Sequence, residues 1–484
     1  MSRIYKNSTQ IADLHGVPLY MHDIVDACLA GRLNLFLQGD TGAGKTQLAK
    51  DAMGYFPDHS LFVLGRNDMD TRELFQQINL GKLHQKPAYN LEPLINPDSG
   101  EVEWHYPKFD EKGTFAYQKL TGTQAQNVRK GLEALAGSTD SIRELTSKIG
   151  TNLIVVDELP NCVPAVRAQL FNLFDGFIEI AGKAYPIGKN LVATYQDGKR
   201  AVLPIGIDAN TIATLKSEGA TIRSDVYSVG IATGNLGQQF TESANDLGRA
   251  IKDRMHVTVD VDHYFPTPSD TMNILAGNTN PRVEFGELSA ETGHALRERN
   301  ARISTQAVPF AKLVVANYLL HGLDYCNNGA SKRKMKEAWP NNVQNNQQGS
   351  DEALVLPISP RAAKSIVRLS QSLDDIALER GATPEVIAQG ALNSMMQAYK
   401  LVSTHSGVLN EAMVKNVYNG DRYAAMNALI STTQQQFAQK EGEIMAGIEM
   451  VRKGRKEAKV MNAFTGRWQF MRDTLDSLTK KGEK

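Results

Sequence analysis

The stretch Gly39-Asp40-Thr41-Gly42-Ala43-Gly44-Lys45-Thr46 has the residue types and spacing of a phosphate-binding loop. Glycines let a backbone bend until successive N–H groups face one anion, and a helix starting there adds partial positive charge. Lys45 is expected to reach the β- and γ-phosphoryl oxygens of ATP, and the Thr46 hydroxyl to ligate Mg²⁺. Gly39 to Thr46, with Gln47 beside them, form the expected nucleotide-binding segment. A second constellation is Asp157-Glu158, directly after the apolar run Leu153-Ile154-Val155-Val156. In that setting Asp157 helps hold Mg²⁺, and Glu158 polarises the attacking water as general base. Asn235 closes another apolar run, where its amide is suited to orienting the lytic water beside Glu158.

These groups need strands that end where they begin. Leu33, Leu35, Phe36 and Leu37 form an apolar strand before the loop, and a helix over about 47–53 follows it. Ser60–Leu64, Leu153–Val156, Tyr227–Thr233 and His256–Val259 read as further buried strands. In open α/β sheets, ligands bind at the carboxyl ends of the strands, which is where the loop and the two acids fall. A helix from about Met21 to Ala30 leads in, and short helices are expected near 68–77, 125–135 and 141–148. The turn sequence Asn96-Pro97-Asp98-Ser99-Gly100 before the alternating Glu101–Tyr106 predicts a projecting hairpin within about 80–118. A second hairpin is expected over 177–187 around Gly182, then an insertion of mixed short strands and loops over 188–226. Asp246–Met255 reads as a helix carrying Arg249 and Arg254. From Thr267 the pattern is helical, interrupted by an Asn/Gln-rich polar loop at 327–353.

The 484 residues exceed one typical domain. Lys+Arg and Asp+Glu both number 53, so a nucleic-acid or acidic-lipid surface would have to be a local patch. The three cysteines make neither a disulfide framework nor a metal spacing, which suits a reducing compartment. The ten histidines show no ligand spacing, and no protease, oxidoreductase or zinc-site constellation competes. The N-terminus lacks the apolar core of a signal peptide, and no apolar run approaches the ~18 residues that span a bilayer. A cytoplasmic protein is expected.

Taken in order, these residues resemble the AAA+ ATPases, and within them the MoxR-like branch of the helix-2-insert clade. The broad resemblance rests on residues 39–46, Asp157-Glu158, the strand ending in Asn235, Asp253-Arg254, and Ser359-Pro360-Arg361-Ala362 opening a helix. The narrower one rests on Asn96–Tyr106, Asp157–Leu170, Gly176–Gly188 and Phe265–Ser269, and the similarity covers roughly residues 20–405. It implies an α/β fold: a P-loop AAA+ αβα core with a parallel sheet over 1–265, an α-helical lid over 266–405, and a C-terminal helical extension over 406–484. It also implies that Asn235 is sensor 1, Arg361 is sensor 2, and Arg254 is the arginine finger, with Arg249 as the alternative. Leu236 stands where the family has Asn or Gln with Pro, Met255 where it has Phe, and Leu159-Pro160 where it has Asn-Arg.

The resemblance further implies a homo-oligomer, a hexameric ring in which ATP hydrolysis remodels or activates a partner protein. Such partners include proteins with a von Willebrand A-type domain. The rival is a DNA- or RNA-dependent motor, favoured by the basic residues Arg452, Lys453, Arg455, Lys456 and Lys459 with Trp468 and Phe470 nearby. Interleaved Glu441, Glu443, Glu449 and Glu457 fit a solvated helix face better.

Overall fold

The computed structural model describes residues 4–57, 59–66, 74–78, 92–95, 99, 102–109, 115–119, 143–180, 183–198, 200–203, 209–235, 254–277, 279–284, 289–335 and 351–481. A short ribbon of β1 (Ala12–Leu14) and β2 (Val17–Leu19) leads through α1 (Met21–Gly31) into β3 (Leu35–Gln38). The phosphate loop leaves the carboxyl end of β3 and runs into α2 (Lys45–Met53), followed by β4 (Ser60–Leu64). β10 (Leu153–Asp157), β16 (Val229–Gly234) and β17 (Val257–Asp260) complete a five-stranded sheet in the order β17-β3-β16-β10-β4. Every pairing is parallel.

The apolar runs explain that sheet. β3, β10 and β16 are buried along their whole length, as parallel strands covered on both faces must be. Alternate residues serve opposite faces: Leu35, Leu37, Leu153 and Val155 enter one core. Phe36, Ile154 and Val156 enter the other, with Val166, Leu170 and Leu173 of α3 (Pro164–Phe174). Two cores on one sheet make three layers. β16 lies between β3 and β10, so the chain leaves β3 for the far edge and returns. That reversal opens the crevice at the carboxyl edge in which such sheets bind ligands.

Smaller sheets hang from this core. β5 (Gln76–Ile78) pairs antiparallel with β9 (Arg143–Leu145), where sequence periodicity favours helices over 68–77 and 141–148. The pairing joins segments far apart in sequence, and tertiary pairing overrides local helix preference there. The expected helix over 125–135 lies outside the described residues, as does most of 246–255, including Arg249. β6 (Glu92–Ile95), β7 (Val102–Phe109) and β8 (Phe115–Lys119) form an antiparallel sheet, while the expected turn sequence Asn96–Gly100 lies outside the described residues except for Ser99. β11 (Phe177–Ile180) and β12 (Lys183–Pro186) form a hairpin. β13 (Lys189–Thr194), β14 (Arg200–Leu203) and β15 (Thr221–Val226), with α4 (Ala209–Ser217), fold 188–226 into a three-stranded unit.

The rest is helical: α5 (Pro268–Gly277), α6 (Ala290–Thr305), α7 (Phe310–His321), α8 (Lys332–Met335), α9 (Pro360–Glu379), α10 (Pro384–Gln389) and α11 (Ala391–Ser403). α12 (Glu411–Val417), the long α13 (Arg422–Arg452), α14 (Ala458–Asn462) and α15 (Gln469–Lys481) follow. The C-terminal helices are not loosely attached. Trp468 and Phe470 are 5% and 8% exposed. Tyr318 of α7 meets Trp468 at 5.0 Å and Phe437 of α13 at 5.1 Å between ring centroids. No helix among the described residues is long and apolar enough to cross a membrane.

Candidate active site

Lys45 starts α2 and is 6% exposed. Its Nζ donates to Gly39 O at 3.0 Å, Asp40 O at 2.7 Å and Asn235 Oδ1 at 2.8 Å. Burial pushes its ammonium pKa down, while Glu158, Asp262, Asp40 and Asp157 pull it back up. Gly44 stands before Lys45 with φ 86°, a left-handed conformation that favours glycine, and a Cβ there would lie 2.7 Å from the Tyr5 ring. Asn235, just past β16, turns its other amide atom to the loop, with Nδ2 donating to Thr41 Oγ1 at 3.3 Å.

The acids meet the loop across neighbouring strands. Thr46 Oγ1 donates to Asp157 Oδ1 at 3.0 Å. Thr233, fully buried on β16, donates through its hydroxyl to the same Asp157 oxygen and accepts from Glu158 N at 3.1 Å. Glu158 itself sits at φ 56°, a left-handed conformation uncommon for a side-chain-bearing residue. Gly65, past β4, makes that turn possible: a Cβ at Gly65 would fall 2.5 Å from Glu158 O. Burial and the neighbouring Asp157 push the Glu158 carboxyl above the ordinary range, with Lys45 partly offsetting them. A carboxylate raised in this way is a stronger base than a free glutamate, which suits proton abstraction from water.

Beside the loop lies a cavity of about 750 Å³, walled by Ile4, Tyr5 and Lys6 on one side and by Ile274, Asn280 and Glu284 on another. Sequence reasoning named none of these walls, because they join residues from both ends of the core. Gln47 of the loop helix fastens one wall: its Nε2 donates to Glu284 O at 2.9 Å and its Oε1 accepts from Glu284 N at 3.1 Å. Thr233, Gly65 and Asp262 were likewise not singled out, since each acts on backbone groups distant in sequence. Asp262 Oδ2 accepts from Asp40 N of the loop at 2.6 Å.

Arg254 and Arg361 do not join the cavity. Arg254 O accepts from Asn34 Nδ2 at 3.1 Å, at the amino end of β3. Its guanidinium donates to Asp175 Oδ2 at 3.1 Å and lies 4.6 Å from the Phe171 ring centroid. Arg361 is exposed in the first turn of α9, which runs antiparallel to α1. Arg368 in mid-α9 donates to Gly31 O at the end of α1 at 3.0 Å, and Arg380 beyond it donates to Pro18 O before α1 at 2.9 Å. α1 feeds the amino end of β3 and the loop leaves its carboxyl end, so Arg361 falls at the end away from the loop.

The sheet order, the phosphate loop, and the acids and Asn235 at adjacent strand ends define an AAA+ ATPase core. Residues 34–177 match the family model of the AAA domain, dynein-related subfamily. No curated protein matches the chain. One solved structure, of a proposed ATPase from Cytophaga hutchinsonii ATCC 33406, is 13% identical with a TM-score of 0.45, over 85% of this chain and 89% of that one.

Proposed function

We propose that the chain hydrolyses ATP with Mg²⁺ in an oligomeric ring, a hexamer as in the MoxR-like AAA+ proteins it resembles, and uses the cycle to remodel or activate a partner protein. The carrying observation is the separation of Glu158 from Arg254. The base faces the cavity, whereas Arg254 stands at the opposite end of β3, four residues or roughly 13 Å away along the strand. A cation there serves the nucleotide of a neighbouring copy rather than its own, which makes turnover depend on the interface.

The Thr46 hydroxyl and Asp157 carboxylate, hard oxygen donors 3.0 Å apart, fit Mg²⁺. Bound there, the ion would neutralise charge on the β- and γ-phosphoryl oxygens. The protein supplies the rest. Lys45 exchanges carbonyl acceptors for phosphoryl oxygens, the loop N–H groups orient the phosphates, Glu158 takes the proton of the attacking water, and Asn235 fixes that water. Motion between the cavity walls then couples hydrolysis to the hairpins expected at 96–106 and 177–187 as grips on a client. A von Willebrand A-type protein is a candidate client, and a cytoplasmic setting fits.

The nucleic-acid motor is disfavoured by the same C-terminal residues that suggest it. Trp468 and Phe470 are buried against Tyr318 and so withdrawn from base stacking. Lys453 pairs with Glu449 at 3.4 Å and Lys456 with Asp476 at 2.6 Å. The test mixes two inactive variants, Lys45→Ala and Arg254→Ala. Recovered ATPase activity on mixing is the expected result. Full activity of Arg254→Ala alone would remove the finger and, with it, the argument for a ring.

A further inference from the structure

The turn after β17 links the phosphate loop to the C-terminal helices through side chains. Besides accepting from Asp40 N, the Asp262 carboxylate lies so close over Gly39 that a Cβ there would come within 3.2 Å of Oδ1. Asp262 N donates to Asp260 Oδ1 at 3.0 Å, and His263 N donates to the same oxygen at 3.2 Å. Asp260 Oδ2 accepts from Nε2 of Gln38, the residue that runs into Gly39, at 3.1 Å.

Tyr423, in the first turn of α13, lies against the far side of this turn. Its ring stacks on His263 with centroids 3.7 Å apart and planes within 7°. Its Oη accepts from Asp260 N at 3.3 Å and faces His405 Nε2 at 3.2 Å. The Gln38 amide also reaches His405 Nδ1 at 3.1 Å. An amide N–H can only donate, so Nδ1 accepts, and Nε2 of the neutral ring carries the proton donated to Tyr423 Oη. Two routes therefore run from Tyr423 to the first residues of the loop, one through the 260–263 turn and one through His405 and Gln38.

Docking α13 would need only apolar contact. These contacts instead fix backbone N–H groups and the side chain that enters the loop, where small displacements alter phosphate binding. We propose that Tyr423 is a positioning residue for the phosphate loop, so that the C-terminal helices set the nucleotide affinity of the core. The inference rests on the ATPase reading of that core.

Contiguity is not coupling, and a double-mutant cycle measures the difference. The dissociation constant of ATPγS is measured on the full chain for the unaltered protein, Tyr423→Phe, Asp262→Ala and the double variant. Tyr423→Phe keeps the ring and its stack and removes only the hydroxyl. It is expected to weaken ATPγS binding about 3- to 10-fold, the effect of one or two net hydrogen bonds. The two effects are expected to be less than multiplicative in the double variant, because one of the two routes from Tyr423 passes through Asp262. An unchanged affinity in Tyr423→Phe, with or without lost thermal stability, overturns the proposal, as do effects that multiply in the double variant. If the unaltered chain itself failed to bind ATPγS while remaining folded, the ATPase reading would fall first; Lys45→Ala calibrates that outcome.

Discussion

Thr233 holds both acids at once, and this makes it the most informative single residue to change. Its hydroxyl donates to Asp157 and accepts from Glu158 N, so it fixes the Asp157 carboxylate and the left-handed turn at Glu158, the residue proposed as base. Thr233→Val keeps the shape and leaves the Glu158 N–H without its acceptor. The turnover rate should fall about 5- to 150-fold, as a loss of roughly 1–3 kcal/mol implies, with ATP affinity retained and Thr233→Ser restoring the rate. Equal losses in valine and serine variants would rule this role out. Glu158 supplies a pH signature of its own. Because burial and Asp157 raise its pKa, the rate should fall on acidification at a pH above the ordinary glutamate value of about 4.3. The residual rate of Glu158→Gln should lack that acid limb; a limb that persists would take the base role from Glu158.

At the scale of elements, the cavity depends on how its two walls are joined. Helix α5 is almost wholly exposed except for Asp270, which ties it to the N-terminal segment. Asp270 Oδ2 accepts from Ser8 N at 2.8 Å, Ser8 Oγ at 2.8 Å, Thr267 N at 2.9 Å and Thr267 Oγ1 at 2.7 Å. Burial alone would raise this carboxyl, but the bonds from Ser8 and Thr267 outweigh it and hold the pKa down to about 2. A depressed carboxyl stabilises the fold above its unfolded pKa of about 3.9 and loses that contribution as pH falls towards the folded value. Asp270→Asn should therefore melt below the unaltered protein at pH 7, and the gap should close between about pH 4 and pH 2. A gap independent of pH in that window would assign the effect to packing instead.

At the scale of the molecule, one of the two apolar cores runs from Tyr5 along one face of the sheet and through the helices of 290–403 to Leu475, so that face, those helices and the C-terminal helices share their burial. The buried group of Tyr318, Phe437 and Trp468, joined by Arg467 donating to Asp351, closes the C-terminal helices onto α7. Trp468→Ala should cost about 3–5 kcal/mol, as a large-to-small change in a packed core does. With the core shared, calorimetry should show one lowered transition that includes the nucleotide-binding layers. A separate early transition, leaving ATP binding intact above it, would show the C-terminal helices to be an independent unit.

Local pattern by itself determined a good deal: a phosphate loop between strand and helix, apolar runs long enough only for buried strands, and acids and an amide at their carboxyl ends. Those signals are short-range, set by backbone flexibility at glycines and by the period of side chains along a strand, so they survive in a bare sequence. Where they conflicted with distant pairing they failed, as at Gln76–Ile78 and Arg143–Leu145, which form strands because each finds the other. Only the tertiary structure decided that Thr233 bridges the two acids, that Gly65 leaves room for Glu158, and that Ile4–Lys6 wall the cavity. It alone set Arg254 and Arg361 away from their own loop and laid Tyr423 against the turn that holds it. Each of these depends on strand order and helix direction. Those are fixed by burying the two sheet faces and are written in no local stretch of residues.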